Sequence, residues 1–317
     1  MIVSVTHELD LDGLGSQAII KRYFNKSLKN NNNEIILHFA HYTNFIEKLK
    51  EILRAKTLPD QLIISDIGFN EDFKKLFLFF KQYKEKSHKI LWFDHHLVDR
   101  DNIEELRKTL DLYLNDQNRC SAEIIKDYYL PDDSIAKKIA LFSRDVDFHL
   151  KKYSIASNLQ SIIAYHRGYK GDKTKKKIVD LMSRGIFENE WYNEKLIKIK
   201  KWEITQSNFA LNHVKLLEID NFGEIVISFA RIGGGKLSSL LKDNYPDAKV
   251  FIGIDSRFNE ITLHSNYINC RELAKYFYGG GHKTRAGFRY QNIFTTENKI
   301  NQGFIQEIKE KILKYRI

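Results

Sequence analysis

Cysteine, proline and methionine are scarce, with two, three and two residues in a chain of 317. Cys120 and Cys270 lie far apart, and neither belongs to a C-x-x-C pair. A disulfide framework and a thiolate zinc site are therefore not expected. No run is long and apolar enough to span a bilayer. The opening residues, MIVSVTHELDLDG, enter a strand-like run at once. They lack the basic segment, apolar stretch and small-residue cleavage site of a secretory leader. A soluble, cytoplasmic protein is the expectation. Internal repeats and low-complexity tracts are also missing, and the run Asn30–Asn33 reads as a polar loop.

What is present is an ordinary globular mixture, 43% hydrophobic and 29% charged. That is enough apolar side chain for a core, and the length suits two domains. Lys and Arg number 51 against 41 Asp and Glu, a net charge of +10. The excess favours anionic partners such as nucleic acid or phosphate compounds; a merely basic surface accounts for it equally well.

Along the first half, two patterns alternate. Apolar, β-branched runs at Ile2–Thr6, Glu34–Ala40, Gln61–Ser65 and Lys89–Phe93 predict strands. Helical spacing occupies Ser16–Phe24, Asn44–Leu53 and Phe73–Tyr83, and again Ser121–Tyr129 and Asp133–Phe142. Alternation of this kind predicts βαβ units and a parallel sheet. Residues 170–205 read as helices bridging two domains, and the charged KTKKK run at Lys173–Lys177 reads as a solvated face. Strands are expected again at Glu224–Phe229, Lys249–Ile254 and Glu260–His264. Helices are expected at Lys236–Lys242, Asn269–Phe277 and about Lys299–Lys314.

Parallel sheets bind ligands at the carboxyl ends of their strands. Those ends are rich in carboxylates and imidazoles. The first strand is followed by His7, Asp10 and Asp12, the third by Asp66, and the fourth by Asp94-His95-His96. The helix around residue 140 runs into Asp145 and Asp147. Taken singly, an Asp after a strand is more often a turn or cap residue. If the strands are adjacent, all four segments converge, and carboxylates packed so closely repel unless cations sit among them. Asp and His without Cys suit manganese or a similar divalent ion. The number of ligands suggests two ions, about 3.5–4 Å apart in typical two-metal hydrolases.

His7, Asp10, Asp12, Asp66, Asp94-His95-His96 and Asp145 together resemble the four motifs of the DHH phosphoesterase superfamily. This group includes RecJ-type exonucleases, nanoRNases, cyclic-dinucleotide phosphodiesterases and manganese pyrophosphatases. Gly279-Gly280-Gly281-His282, with Ala286-Gly287, resembles the GGGH motif of the DHH-associated domain. The resemblance implies an α/β fold with an N-terminal parallel-sheet DHH domain and a smaller C-terminal α/β DHH-associated domain. It places the active site in the cleft between them. The boundaries fall at 1–187 for the metal-binding domain, 188–212 for a helical linker and 213–317 for the substrate-binding domain.

The same resemblance implies roles. His7, Asp10 and Asp66 would form one metal site; Asp12, Asp66, His95 and Asp145 would form the other, with Asp66 bridging and Asp147 as the alternative to Asp145. Asp94 would fix the ring of a ligand histidine. His96 would face the scissile phosphate, stabilising charge or supplying a proton to the leaving oxygen. Gly280, Gly281, His282 and Arg285 would bind the substrate. Three features depart from the family pattern: the two-residue gap between His7 and Asp10, Arg285 at a usually small position, and His264-Ser265 where relatives often carry Arg-Ser. The implied reaction is hydrolysis by a water activated by two Mn²⁺ ions.

The implied substrates are short single-stranded RNA or DNA and nucleotide phosphates, with pAp, cyclic dinucleotides and long single-stranded DNA as alternatives. A homodimer follows only by analogy. A different class of reading is a nucleotide-binding module without turnover. Gly13-Leu14-Gly15-Ser16-Gln17-Ala18 matches G-x-G-x-x-A, but Asp10 and Asp12 would repel a pyrophosphate and no acidic residue closes the second strand. Gly233-Gly234-Gly235-Lys236 fails as a P-loop because Leu237 follows the lysine. Trp92, Phe79 and Phe80 read as core, Tyr276 and Tyr278 are better stacking candidates, and His41 and His166 read as structural or surface residues.

Overall fold

The computed structural model describes residues 1–27, 35–295 and 299–316. The expected Asn30–Asn33 loop, and Glu34 at the head of the second expected strand, lie outside the described residues. The chain divides into two compact units, Met1–Leu196 and Ile197–Ile317.

The first unit is built on five strands: β1 (Ile2–His7), β2 (Ile35–Ala40), β3 (Gln61–Ser65), β4 (Lys89–Asp94) and β5 (Leu112–Asn115). All are parallel, in the order β2-β1-β3-β4-β5. The order reverses direction between β1 and β3, which makes the carboxyl ends of those two strands the switch-point crevice of the sheet. Register brings Thr6 opposite Ser65, and Ser65 opposite Phe93. The residues following these three strands therefore emerge side by side. The central strands β1, β3 and β4 are buried on both faces, as a sheet covered by helices requires, with Ser4, Thr6 and Ser65 among the buried residues. Trp92, Phe45, Phe73 and Phe80 are buried in the core of one face. Phe79 is half-buried under the Arg54 guanidinium, 4.8 Å from its ring centre, and not in that core.

Helices α1 (Leu11–Ser27), α2 (Phe45–Leu53), α3 (Phe77–Glu85) and α4 (Arg100–Thr109) alternate with these strands, and α5 (Ser121–Tyr129), α6 (Ser134–Asp147), α7 (Ser154–Tyr165) and α8 (Asp172–Ser183) follow. α1 begins five residues before the expected Ser16, because its first ten residues are buried all round and show no amphipathic period. The expected helix Phe73–Tyr83 is a 3-10 turn, Glu71–Leu76, running into α3. The glycines of the Gly13–Ala18 motif lie within α1. A Cβ on Gly13 would stand 2.2 Å from the His7 carbonyl oxygen, so the helix packs directly on the end of β1.

A long helix, α9 (Glu190–Asn212), contains the division between the units. The second unit holds a mixed sheet of β6 (Lys215–Ile219), β7 (Gly223–Ala230), β8 (Val250–Asp255), β9 (Glu260–His264), β10 (Gly280–Gly281) and β11 (Arg285–Arg289). Its order is β10-β11-β9-β8-β7-β6, with only β7 and β8 parallel. Helices α10 (Gly234–Asn244), α11 (Cys270–Tyr276) and α12 (Gln302–Lys314) complete it. A Cβ on Gly234 would lie 2.7 Å from Thr262 Oγ1, so this glycine serves close helix–sheet packing. Among the described residues, no helix is long and apolar enough to cross a membrane.

Candidate metal centre

The switch-point crevice of the first unit gathers most of the predicted ligands. His7, Asp10 and Asp66 form one group whose donor atoms lie within 4.8 Å of one another. Asp12, His95 and Asp147 form a second, and Asp66, His95 and His96 a third. Asp66 thus belongs to two groups. His7 Nδ1 is 3.4 Å from Asp10 Oδ2 and 3.8 Å from Asp66 Oδ2. His95 Nε2 is 3.4 Å from Asp66 Oδ1 and 3.8 Å from Asp12 Oδ2, while its Nδ1 is 3.6 Å from Asp147 Oδ2.

Local structure explains each placement. His7 ends β1, and Asp10 Oδ1 accepts the Gly13 amide at 3.2 Å, as a capping residue would at the head of α1. Asp12 is fully buried inside the first turn of α1. Its carboxylate accepts the amides of Ser121 at 2.7 Å and Ala122 at 2.9 Å, so it also serves the N-terminus of α5. Asp66 carries a left-handed backbone, φ 55°, at the turn leaving β3. Gln160, on α7, holds the loop between β1 and α1 by accepting from the Leu11 amide at 2.9 Å and donating to the Leu9 carbonyl at 3.1 Å.

Asp145, the preferred residue of the fourth motif, stands outside the group. Its carboxylate accepts the amides of Lys152 at 2.8 Å and Tyr153 at 3.3 Å, anchoring the segment after α6. Asp147 takes the place beside His95. Residues two apart on a helix point about 200° apart, so only one of the two can face the crevice. Asp94 holds His96, not His95, through a 2.7 Å bond to Nδ1. Asn115, at the end of the unpredicted strand β5, bonds the His96 carbonyl at 2.9 Å. Tyr42, which sequence reasoning passed over, sits among His7, Gly68 and His96. Its signal was positional: it stands two residues beyond the end of β2.

The electrostatics are those of crowded, dry carboxylates. Burial, reinforced by Asp10, Asp12, Asp94 and Asp147, pushes the Asp66 carboxyl well above its usual range. Burial raises Asp12 despite the opposing pull of His95 and two backbone amides. Asp147 is pushed up to about 6 by burial and by Asp12. Burial acts the same way on Asp10, but the His7 ring and the Gly13 amide outweigh it and hold this carboxyl low. Burial works against a charged His96, and Asp94 outweighs it, raising the imidazole. Asp66 Oδ2, His95 Nε2 and His7 Nε2 are buried without a hydrogen-bond partner. Orphaned polar atoms of this kind are costly. A donor set of carboxylates and imidazoles around them fits divalent cations.

In the second unit, Gly280 and Gly281 pair with Gly287 and Ala286, and His282 closes the hairpin with its side chain exposed. Gly281 has φ 134°, and a Cβ there would strike the Ala286 backbone at 2.7 Å. Arg285 reaches α10, donating to the Gly235 carbonyl at 2.9 Å and to Ser239 Oγ at 2.5 Å. Lys242 lies 3.5 Å from His264 Nε2. Burial, Arg285 and Lys242 all lower the His264 imidazole. Tyr276 is covered by Lys311, 3.8 Å above its ring, whereas Tyr278 is fully exposed with φ 58°.

No family model and no curated protein matches the sequence. Solved structures do. Exonuclease RecJ bound to manganese aligns over 98% of this chain and 88% of its own, with 14% identity and a TM-score of 0.55. The DHH domain of a protein from a family of ribosomal proteins aligns over 99% and 85%, with 14% identity and a TM-score of 0.50. CDC45 from Entamoeba histolytica aligns over 99% and 95%, with 9% identity and a TM-score of 0.50. A five-stranded parallel sheet followed by a mixed-sheet unit, aligned end to end with these structures, gives this chain the fold that exonuclease RecJ and that DHH domain share.

Proposed function

We propose that this chain is a divalent-metal-dependent phosphodiesterase that hydrolyses short oligonucleotides, in the manner of a nanoRNase. The observation that carries the reading is the shared position of Asp66 within overlapping Asp/His groups whose buried atoms lack partners. Only cations relieve such crowding without protonating the carboxylates. Manganese is the favoured ion: the donors are oxygen and imidazole nitrogen, and the RecJ structure of the same fold holds it. Two ions are proposed, one on His7, Asp10 and Asp66, the other on Asp12, His95, Asp147 and the shared Asp66.

Ions held there would lower the pKa of a water toward neutrality and offset charge on phosphoryl oxygens. The protein's own residues do the rest. Asp12, pinned by two helix amides, and Asp10, pinned by the Gly13 amide, keep the ligand cage in place before substrate arrives. His96, 38% exposed at its side chain and held by Asp94, is the group offered to the substrate, to steady a phosphoryl oxygen or to protonate the leaving oxygen. In the second unit, Arg285 and Lys242, on either side of an imidazole, His264, that burial and both cations push toward its neutral form, suit a phosphate beside the GGGH hairpin.

The test is a substrate panel with MnCl₂: labelled RNA and DNA from dimers to long single strands, pAp, and cyclic dinucleotides. Fast cleavage of dimers that fades with length is expected, with Asp66→Ala inactive yet folded. Preference for long DNA would favour a RecJ-type exonuclease. No turnover of any phosphodiester, with nucleotide binding retained, would overturn the reading in favour of a binding module. Turnover retained by Asp66→Ala would remove its bridging role.

A further inference from the structure

Tyr42 is the second anchor of His96. The phenol oxygen accepts the Gly68 amide at 3.1 Å and lies 3.4 Å from His96 Nε2. On the other side of the ring, Nδ1 meets Asp94 at 2.7 Å. The imidazole is therefore tethered at both nitrogens, and the Tyr42 tether is fixed in turn to the backbone. The Tyr42 ring has little freedom: it stacks on Phe73 at 13° between planes and meets His7 edge-on at 5.6 Å. The approach is close enough to dictate Gly68. A Cβ there would stand 2.7 Å from His96 Cβ and 3.2 Å from the phenol oxygen. The Gly68 amide uses the phenol oxygen only as an acceptor; the O–H proton still needs a partner, and His96 Nε2, at 3.4 Å, stands within its reach.

We propose that Tyr42 is a positioning residue: its hydroxyl, braced by the Gly68 amide, holds the His96 ring by Nε2 in a fixed orientation before substrate arrives and yields Nε2 to the phosphodiester when it binds. The inference rests on the role given to His96 in the proposed reaction. A ring held only at Nδ1 can pivot about that bond, and small misplacement of a reacting group is expensive in rate. Tyr42 acts only through His96, so its loss has no effect once His96 is gone.

The experiment has two arms. The first uses metal-free protein labelled with ¹⁵N-histidine, at one fixed pH, comparing the unaltered chain with Tyr42→Phe. A shift confined to the His96 Nε2 resonance is expected; identical His96 signals would overturn the proposal. The second measures hydrolysis of an RNA dinucleotide with MnCl₂. Tyr42→Phe should lower kcat roughly three- to tenfold, the value of one hydrogen bond, with KM little changed. His96→Ala and the double variant should be equally slow. Additive losses, or a fall in kcat/KM carried by KM alone, would assign Tyr42 a structural role. If the unaltered protein turns over no dinucleotide, the proposed function fails, and the ¹⁵N arm still decides whether Tyr42 holds His96.

Discussion

Asp66 shows what a single position must bear at this site. It adopts φ 55°, is 2% exposed, and stands within reach of both His7 and His95. Aspartate tolerates the left-handed region better than most residues, which permits the sharp exit from β3 there. The choice between Asp145 and Asp147 is likewise decided residue by residue. Asp147→Asn should reduce manganese-dependent turnover on the order of 100-fold while leaving the urea midpoint almost unchanged. Asp145→Ala should do the reverse, costing about 2 kcal/mol of stability through two lost amide bonds, with turnover per folded molecule retained. Denaturation curves and hydrolysis rates on both variants distinguish these outcomes. Sequence pattern could not make that choice, because the facing side of α6 depends on how the helix docks against its neighbours, not on the spacing of its aspartates.

At the scale of elements, two charge groups, one buried and one partly buried, fasten helices around the sheet, and neither was visible in the sequence. Lys175, inside the run expected to be solvated, is fully buried. Its ammonium meets Glu8 just beyond β1, Asp172 at 2.9 Å and the Gly168 carbonyl at 3.2 Å. Burial raises the Glu8 carboxyl, but Lys175 and the Gly168 amide outweigh it and hold it low. Lys175→Met should therefore cost about 3–5 kcal/mol, since it strands buried carboxylates; urea unfolding measures it, and a loss below about 1 kcal/mol would show the pair to be dispensable. The second group joins α1 to α6. Asp133 caps α6 through the Ala136 amide at 2.8 Å and takes Arg22 on both oxygens, at 2.8 and 2.9 Å, along with Lys26. Burial opposes ionisation here, and the two cations and the amide more than offset it, so the folded carboxyl lies below its ordinary value. A depressed acid stabilises above its unfolded pKa, about 3.9, and the contribution disappears as pH falls through the lower folded value. Asp133→Asn should thus cost about 1–3 kcal/mol from about pH 8 to 5 and progressively less below about pH 4. A gap that widened in acid would contradict the assignment.

For the whole molecule, the consequence of a caged cluster of carboxylates is linkage between metal and stability. Manganese at about 100 times its dissociation constant should stabilise the folded protein by about 2.7 kcal/mol. For a unit of this size that is a rise in Tm of roughly 5–10 °C, read by differential scanning calorimetry against an EDTA-treated sample. Equal Tm values with and without the ion would remove the metal centre. The parallel sheet, most helices and the gathered groups, short of the choice between Asp145 and Asp147, were legible in the sequence, because strand periodicity and strand-end chemistry are local signals. β5 and β6 were missed as short runs of four and five residues, and β10 and β11 because glycine-rich hairpins have no apolar alternation. The sequence by itself determined which residue types follow each strand, and so the chemistry open to this protein. Only the tertiary structure decided which carboxylate of α6 faces the crevice, that Tyr42 reaches His96, and that Lys175 is buried against Glu8. Those contacts join segments far apart in the chain, and burial and helix rotation, which no local pattern encodes, set them.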